Sequence, residues 1–356
     1  MSTSVPLISN TSDTVKDSMN TETRNKPIWH TLLKALTAVI GLLVVLFFLG
    51  PVNEFGSDVP TVRPAPPTAL NELDTWLADS ESHFQQLRPG TAKGIVWANN
   101  EKVKTPWSVV YIHGFSATRL ETSPLAEKLA ASLGANLFYT RLTGHGLAGE
   151  DMGKATAQDW MADTIEAIRI GQSLGDRVLV ISCSTGSTLS TWFGTTQAAS
   201  NVGAFVFISP NFGLKNKMSE LINGHWGQHI ATAVSGDTIT YEQTDPREAV
   251  AWTGSYPTKA LFPMMALVKK VRDSDLANFK SPVLVLYSPA DQTVDPENIK
   301  EAFARLGSDK KTIEAVTYSN SKGQHVLTGE IRDPSSVDTL STFITDWTNS
   351  LDTVIH

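Results

Sequence analysis

Residues 178–190 read VLVISCSTGSTLS, an apolar run that ends in five side chains able to attack a carbonyl: Ser182, Cys183, Ser184, Thr185 and Ser187. A nucleophile is well exposed on a tight strand-to-helix turn. There its backbone is driven to positive φ, and the residues two before and two after it must be small. Cys183 has Ile181 and Thr185 at those places and fails. Ser182 has Val180 two residues before it, and Ser187, followed by Leu189, lies too far into the following helix. Thr185 has small flanks, but a β-branched residue at positive φ is an outlier. Ser184, between Ser182 and Gly186, meets the requirement. A serine hydroxyl is a weak nucleophile at neutral pH, so the turn alone carries no activity. It needs a base, and the base needs an acid to orient it.

Both partners stand downstream, in the order Ser, Asp, His. SPADQTVDP follows the apolar run PVLVLY and offers Asp291, with Asp295 as a competitor that could instead cap the helix opening at Pro296. SNSKGQHVLTGE follows TIEAVTY and offers His325 in a loop. Of the other histidines, His30, His83 and His356 lie on flanking segments, and His113 and His145 sit in glycine loops that call for backbone shaping. His225 and His229 are four apart, but no third ligand stands near them, so no metal is expected. An oxyanion needs backbone N–H donors. Thr185, directly after the nucleophile at a helix start, supplies one. Phe115, in the His-Gly-Phe-Ser loop after SVVYIH, supplies the other; the same loop also reads as a plain tight turn. No cofactor is called for.

These residues sit at the ends of regularly alternating elements. Strands are expected at 94–98, 108–113, 136–141, 177–182, 204–209, 282–287 and 312–318. Helices are expected at 69–87, 123–133, 157–174, 188–199, 296–306 and 334–351. The middle strands are near-continuous Val/Ile/Leu/Phe runs, which fits a mostly parallel sheet covered on both faces. The interval 210–281 breaks the rhythm. It shows no convincing strand but holds Phe212, Trp226, Trp252, Tyr256, Phe262, Met264 and Met265, and it reads as a cap or as an ordinary helical excursion.

The chain has 356 residues, 29 Lys plus Arg against 36 Asp plus Glu, a net charge of -7 and one cysteine. It shows no basic stripe for a nucleic acid and can form no internal disulfide. Residues 1–30 read as a disordered tail. Residues 31–50, TLLKALTAVIGLLVVLFFLG, are long enough at ~1.5 Å per residue to cross the ~30 Å bilayer core. A cleaved signal is the alternative, but no small-x-small site follows. Arg24, Lys26 and Lys34 precede or open the span, and the next basic residue is Arg63. The tail is therefore expected in the cytoplasm and the rest in the periplasm or outside the cell. Residues 51–68, with Pro51, Pro60, Pro64, Pro66 and Pro67, read as a stiff linker. Residues 69–356 form the main domain, with the insertion at about 210–281.

IHGFSAT (112–118), RLTGHGLAGED (141–151), DWMADTIEAI (159–168), SCSTG (182–186), SPADQTVDP (288–296) and GQHVLTGE (323–330) together resemble the α/β-hydrolase superfamily. The branch is that of monoacylglycerol lipases, carboxylesterases and serine aminopeptidase-like proteins. The resemblance runs from about residue 70 to the end. It implies a Ser184–His325–Asp291 triad, oxyanion donors at Phe115 and Thr185, and a helical cap after the sixth strand. Ser182 stands where the family usually has Gly. The implied activity is hydrolysis of a small ester or lipid by a membrane-anchored enzyme. An aminopeptidase or amidase shares the triad and would want carboxylates such as Glu220, Asp237, Glu242 or Asp245 at the mouth. A non-catalytic binding protein on the same fold is the third alternative.

Overall fold

A computed structural model describes residues 28–351; the expected tail at 1–27 and the last five residues lie outside the described residues. The chain divides at Gly50 into two compact units. The first holds α1 (Ile28–Phe48), which begins three residues earlier than expected and ends at Phe48. It is 21 residues long with mean hydropathy 2.4, and among the described residues it is the one helix long and apolar enough to cross a membrane.

The second unit opens with residues 50–69, which form neither helix nor strand. They do not run free as a spacer. The Asn53 amide donates to Asn223 and to the Phe262 carbonyl at 3.0 and 2.8 Å. Gln158 Nε2 donates to the carbonyls of Phe55 and Ser57. Arg63 reaches Thr143 at 2.8 Å and Asp163 at 3.4 Å. The donors come from both sides: Asn53 and Arg63 of the stretch donate to the domain, and Gln158 of the domain donates to two carbonyls of the stretch.

Next come α2 (Leu70–Ser82), β1 (Gly94–Val96), β2 (Thr105–Ile112), α3 (Leu125–Leu133), β3 (Asn136–Tyr139), α4 (Gly149–Met152), α5 (Ala157–Leu174), β4 (Gly175–Cys183), α6 (Thr185–Gly194) and β5 (Ala204–Ile208). The insertion holds α7 (Gly227–Ser235), β6 (Thr238–Thr240), α8 (Pro246–Ala251), β7 (Ser255–Pro257) and α9 (Leu261–Arg272). The domain closes with β8 (Val283–Tyr287), α10 (Pro296–Arg305), β9 (Lys311–Ala315) and α11 (Val337–Ser350).

All seven expected strands form one sheet in the order β1-β3-β2-β4-β5-β8-β9. Only the β1–β3 pair is antiparallel. Side chains alternate along the strands and build two cores. Val110 and Ile112 of β2 face the core that takes in Trp160 and Ile168 of α5, while Val109 and Tyr111 face Leu125 of α3 and Leu340 of α11. Each fully buried side chain of this size contributes roughly 1.5–3 kcal/mol. A sheet clamped on both faces is thus a rigid platform for residues at its strand ends.

The expectation of no strand in 210–281 is corrected. β6 and β7 pair there as a two-stranded antiparallel ladder across α8, Ile239 opposite Tyr256. Three-residue strands are too short to display a period of two, and Pro257 disguises the second.

Candidate active site

β4 enters the sheet centre, with Ile112 of β2 opposite Ser182 and Cys183 opposite Ile208 of β5. The chain then turns at once into α6, and Ser184 at the turn has φ 52° and ψ -117°. Its N–H donates to the Ile208 carbonyl at 2.9 Å, and its carbonyl accepts from Asn211 N–H at 3.1 Å. The strained residue is therefore held by β5 and by the chain leaving it. Gly186 is required by space: a Cβ there would lie 2.3 Å from the Ile112 carbonyl oxygen and 2.6 Å from that of His113. At the other flank, Ser182 is fully buried and its hydroxyl reaches Ser187 Oγ at 3.2 Å. The departure from glycine is absorbed by a hydrogen bond two residues inside the helix start.

His325 Nε2 lies 3.0 Å from Ser184 Oγ, and its Nδ1 lies 2.8 Å from Asp291 Oδ2. With the Nδ1 proton given to the carboxylate, Nε2 is left as acceptor for the serine O–H. The other Asp291 oxygen accepts from the N–H groups of Thr293 and Val294 at 2.7 and 2.9 Å. Asp295, the competitor, caps α10 by accepting from Glu297 N–H and pairs with Lys217. Cys183 is buried in the core, and burial first, then Glu121, pushes its thiol well above the usual range.

The loop after β2 borders Ser184: a Cβ on Gly114 would stand 3.2 Å from Ser184 Cβ. His113 shapes this loop. Its Nε2 accepts from Leu142 N–H at 3.0 Å, which leaves the Nδ1 proton for the Gly114 carbonyl at 2.9 Å. In a trans peptide the carbonyl and the next N–H point opposite ways, so fixing the Gly114 carbonyl fixes the Phe115 N–H. Burial holds His113 well below the ordinary histidine range and lowers His145 to about 4, so both stay neutral. His145 Nδ1 contacts the Thr143 carbonyl at 3.1 Å. Both act on backbone, as their glycine loops require.

The insertion is stitched to this same loop. Thr253 N–H donates to the Ser116 carbonyl at 2.7 Å, Thr118 Oγ1 to the Ala251 carbonyl at 3.1 Å, and the Phe115 ring meets Tyr256 edge-on at 5.3 Å. Asn211 and Glu121 escaped the sequence reading. Asn211 ties Ser184 and also accepts from Thr188 Oγ1 at 2.6 Å. Glu121 sits in a polar stretch, SATRLETS, that reads as surface, yet it is 2% exposed beneath the loop.

The family described as serine aminopeptidase, S33 (Hydrolase_4) matches residues 104–330, well over half of the chain, and the match contains Ser184, Asp291 and His325. A thermostable monoacylglycerol lipase from Bacillus sp. (strain H-257) is 25% identical over 240 residues, 65% of this chain and 88% of that protein. Two solved structures share the fold. One is described under the metagenome-derived lipolytic enzymes LipS and LipT, with TM-score 0.58 and 21% identity over 74% of this chain and 100% of that one. The other is a soluble variant of monoglyceride lipase from Saccharomyces cerevisiae, with TM-score 0.56 and 15% identity over 73% and 91%. The chain belongs to the serine aminopeptidase S33 family, in the monoacylglycerol lipase and esterase branch of the α/β-hydrolase superfamily.

Proposed function

We propose that this protein is a serine hydrolase that cleaves carboxylic esters of small or lipid-like alcohols through an acyl-enzyme on Ser184. The observation that carries the reading is the hydrogen-bonded line from Ser184 Oγ through His325 to Asp291. Ser184 Oγ attacks the acyl carbon while His325 Nε2 takes the hydroxyl proton. Asp291 holds the imidazole and stabilises the imidazolium. The N–H groups of Phe115 and Thr185 receive the oxyanion, Thr185 at the start of α6 with the helix dipole behind it. Collapse expels the alcohol with the proton from His325, and water repeats the sequence to release the acid.

Two of the four acids considered for the mouth, Glu220 and Asp245, are already engaged, which favours esters over peptides at those positions. A site for a free amine needs an unengaged carboxylate. Glu220 is bidentate to Arg272 at 2.7 and 2.9 Å, and Asp245 caps α8 and pairs with Arg247. The names of the monoacylglycerol lipase relatives point the same way. The test is a panel of p-nitrophenyl esters of graded acyl length beside aminoacyl p-nitroanilides. Faster turnover of esters supports the reading; faster turnover of the anilides replaces it with an aminopeptidase.

In the same proposal 210–281 is a cap over the site, α1 is an uncleaved anchor, and the domain from residue 69 onward lies outside the cytoplasm. The length and hydropathy of α1 and the basic residues before it support the anchor. Protease added to spheroplasts, with the outer envelope opened and the cytoplasmic membrane intact, should digest the hydrolase domain, and protection of that domain reverses the orientation.

A further inference from the structure

Glu121 is a buried carboxyl that the triad chemistry does not use. It ends a short 3₁₀ turn, Arg119–Glu121, seven residues after Gly114. Its Oε1 accepts from Gly114 N–H at 2.7 Å and from the Tyr111 hydroxyl at 3.0 Å. The Tyr111 oxygen in turn accepts from Thr122 Oγ1 at 2.7 Å. Its Oε2 lies 3.2 Å from where a Cβ on Gly114 would stand, so the carboxyl rests against the glycine itself. Cys183 at the end of β4 and His325 also act on it electrostatically. Among the described residues no lysine or arginine pairs with it. Both hydrogen bonds to its Oε1 thus come from donors, the shorter of them from Gly114 in the loop that carries Phe115.

A carboxyl buried among apolar strands without a cation is costly for the fold. Its compensation is the pair of hydrogen bonds to Oε1 from Tyr111 and Gly114, of which the second reaches the loop. Gly114 N–H is tied by Glu121 and the Gly114 carbonyl by His113, so both peptide planes of Gly114 are fixed. The second of those planes carries the Phe115 N–H.

We propose that Glu121 is a positioning residue for the oxyanion hole, in which its Oε1 sets the Gly114 peptide and thereby aims the Phe115 N–H at the acyl oxygen. The inference rests on the Ser184 hydrolase reading and extends it to a residue that touches neither substrate nor the triad. What matters is where the acceptor oxygen stands, because a small displacement of an oxyanion donor is felt in the transition state far more than in substrate binding.

Two variants separate position from charge. Glu121→Gln keeps an acceptor oxygen at the same reach and drops the charge. Glu121→Asp keeps the charge and withdraws the oxygen by one methylene. The full chain and each variant are assayed with one p-nitrophenyl ester at pH 8, with kcat expressed per site titrated by a fluorophosphonate. The parent must lose turnover in Ser184→Ala; if it does not, the hydrolase reading itself fails. With that control met, Glu121→Gln is expected within about threefold of the parent kcat. Glu121→Asp is expected to lose about 10- to 100-fold in kcat with KM within about threefold. Parental kcat per titrated site in Glu121→Asp overturns the inference. So does a Glu121→Gln variant as impaired as Glu121→Asp, which makes the charge or the packing the cause. A Glu121→Asp defect confined to the number of titrated sites assigns Glu121 to folding alone.

Discussion

Asp291 meets His325 with one carboxylate oxygen, Oδ2 to Nδ1 at 2.8 Å, and holds the other against the backbone N–H groups of Thr293 and Val294. The carboxylate is thus oriented before substrate arrives. Four residues on, Asp295 performs a different task at the start of α10. The two acids, indistinguishable by composition, predict opposite phenotypes. Asp291→Asn should lower kcat by about 10⁴-fold. Asp295→Asn should leave kcat within a few-fold and lower stability by ~1 kcal/mol or less, since Asn still caps. Steady-state kinetics with urea unfolding of both variants checks the pair; a large kcat loss in Asp295→Asn and none in Asp291→Asn exchanges their roles.

The elbow makes a second prediction. A Cβ at Gly186 meets backbone oxygen at 2.3 Å, so Gly186→Ala must move either β2 or α6. Activity per mole of protein should fall by at least about 10²-fold, since a misplacement of this size at a nucleophile is that damaging. Ser182→Gly only removes a hydroxyl bonded to Ser187, and kcat should stay within about threefold. A fully active Gly186→Ala variant contradicts the close approach.

Stability should respond to pH through two buried groups of opposite sign. Burial lowers His145 to about 4, so between that value and the ordinary histidine value of ~6.5 the unfolded chain binds a proton the folded chain refuses. This contribution weakens the fold as pH falls through the window. Burial raises Glu121 to about 7, so between the ordinary glutamate value of ~4.5 and 7 the folded chain keeps a proton the unfolded chain releases. That contribution weakens the fold as pH rises. Glu121→Gln deletes the second effect alone. Relative to the parent, its unfolding free energy should therefore improve between pH 5 and pH 7. A constant difference across that range contradicts the raised glutamate.

Arg141 and Glu81 form a buried bidentate pair at 2.7 and 2.8 Å, and Arg141 also donates to the His145 carbonyl at 3.0 Å. Both side chains are less than a tenth exposed. Glu81→Ala strands a buried guanidinium and should destabilise by about 3–5 kcal/mol. Chemical unfolding measures it, and a change below ~1 kcal/mol shows that water or another group satisfies the arginine.

The sheet was legible because its central strands are apolar throughout and are separated by helices with clear ends. α5 runs over the expected 157–174, where Thr156 and Asp159 form a reciprocal cap. Turn sterics and element order single out Ser184 and His325, and the fold brings them to 3.0 Å. The insertion was less legible. Its two short strands lean on neighbours such as Phe115 from the loop after β2, and three-residue strands carry no pattern of their own. The proline stretch read as a spacer because proline composition reports stiffness and says nothing of the donors, Asn53, Gln158 and Arg63 among them, that fasten it. Glu121 was invisible for a related reason: a charged residue in a polar run reads as solvated until the strand behind it is in place.

The central claim is that Ser184 is acylated. Incubating the full chain with a fluorophosphonate and mapping the adduct by mass spectrometry of its peptides tests this directly. The account predicts one adduct, on Ser184, that vanishes in Ser184→Ala together with ester turnover. An adduct on Cys183 or Ser187, or undiminished turnover in Ser184→Ala, contradicts it.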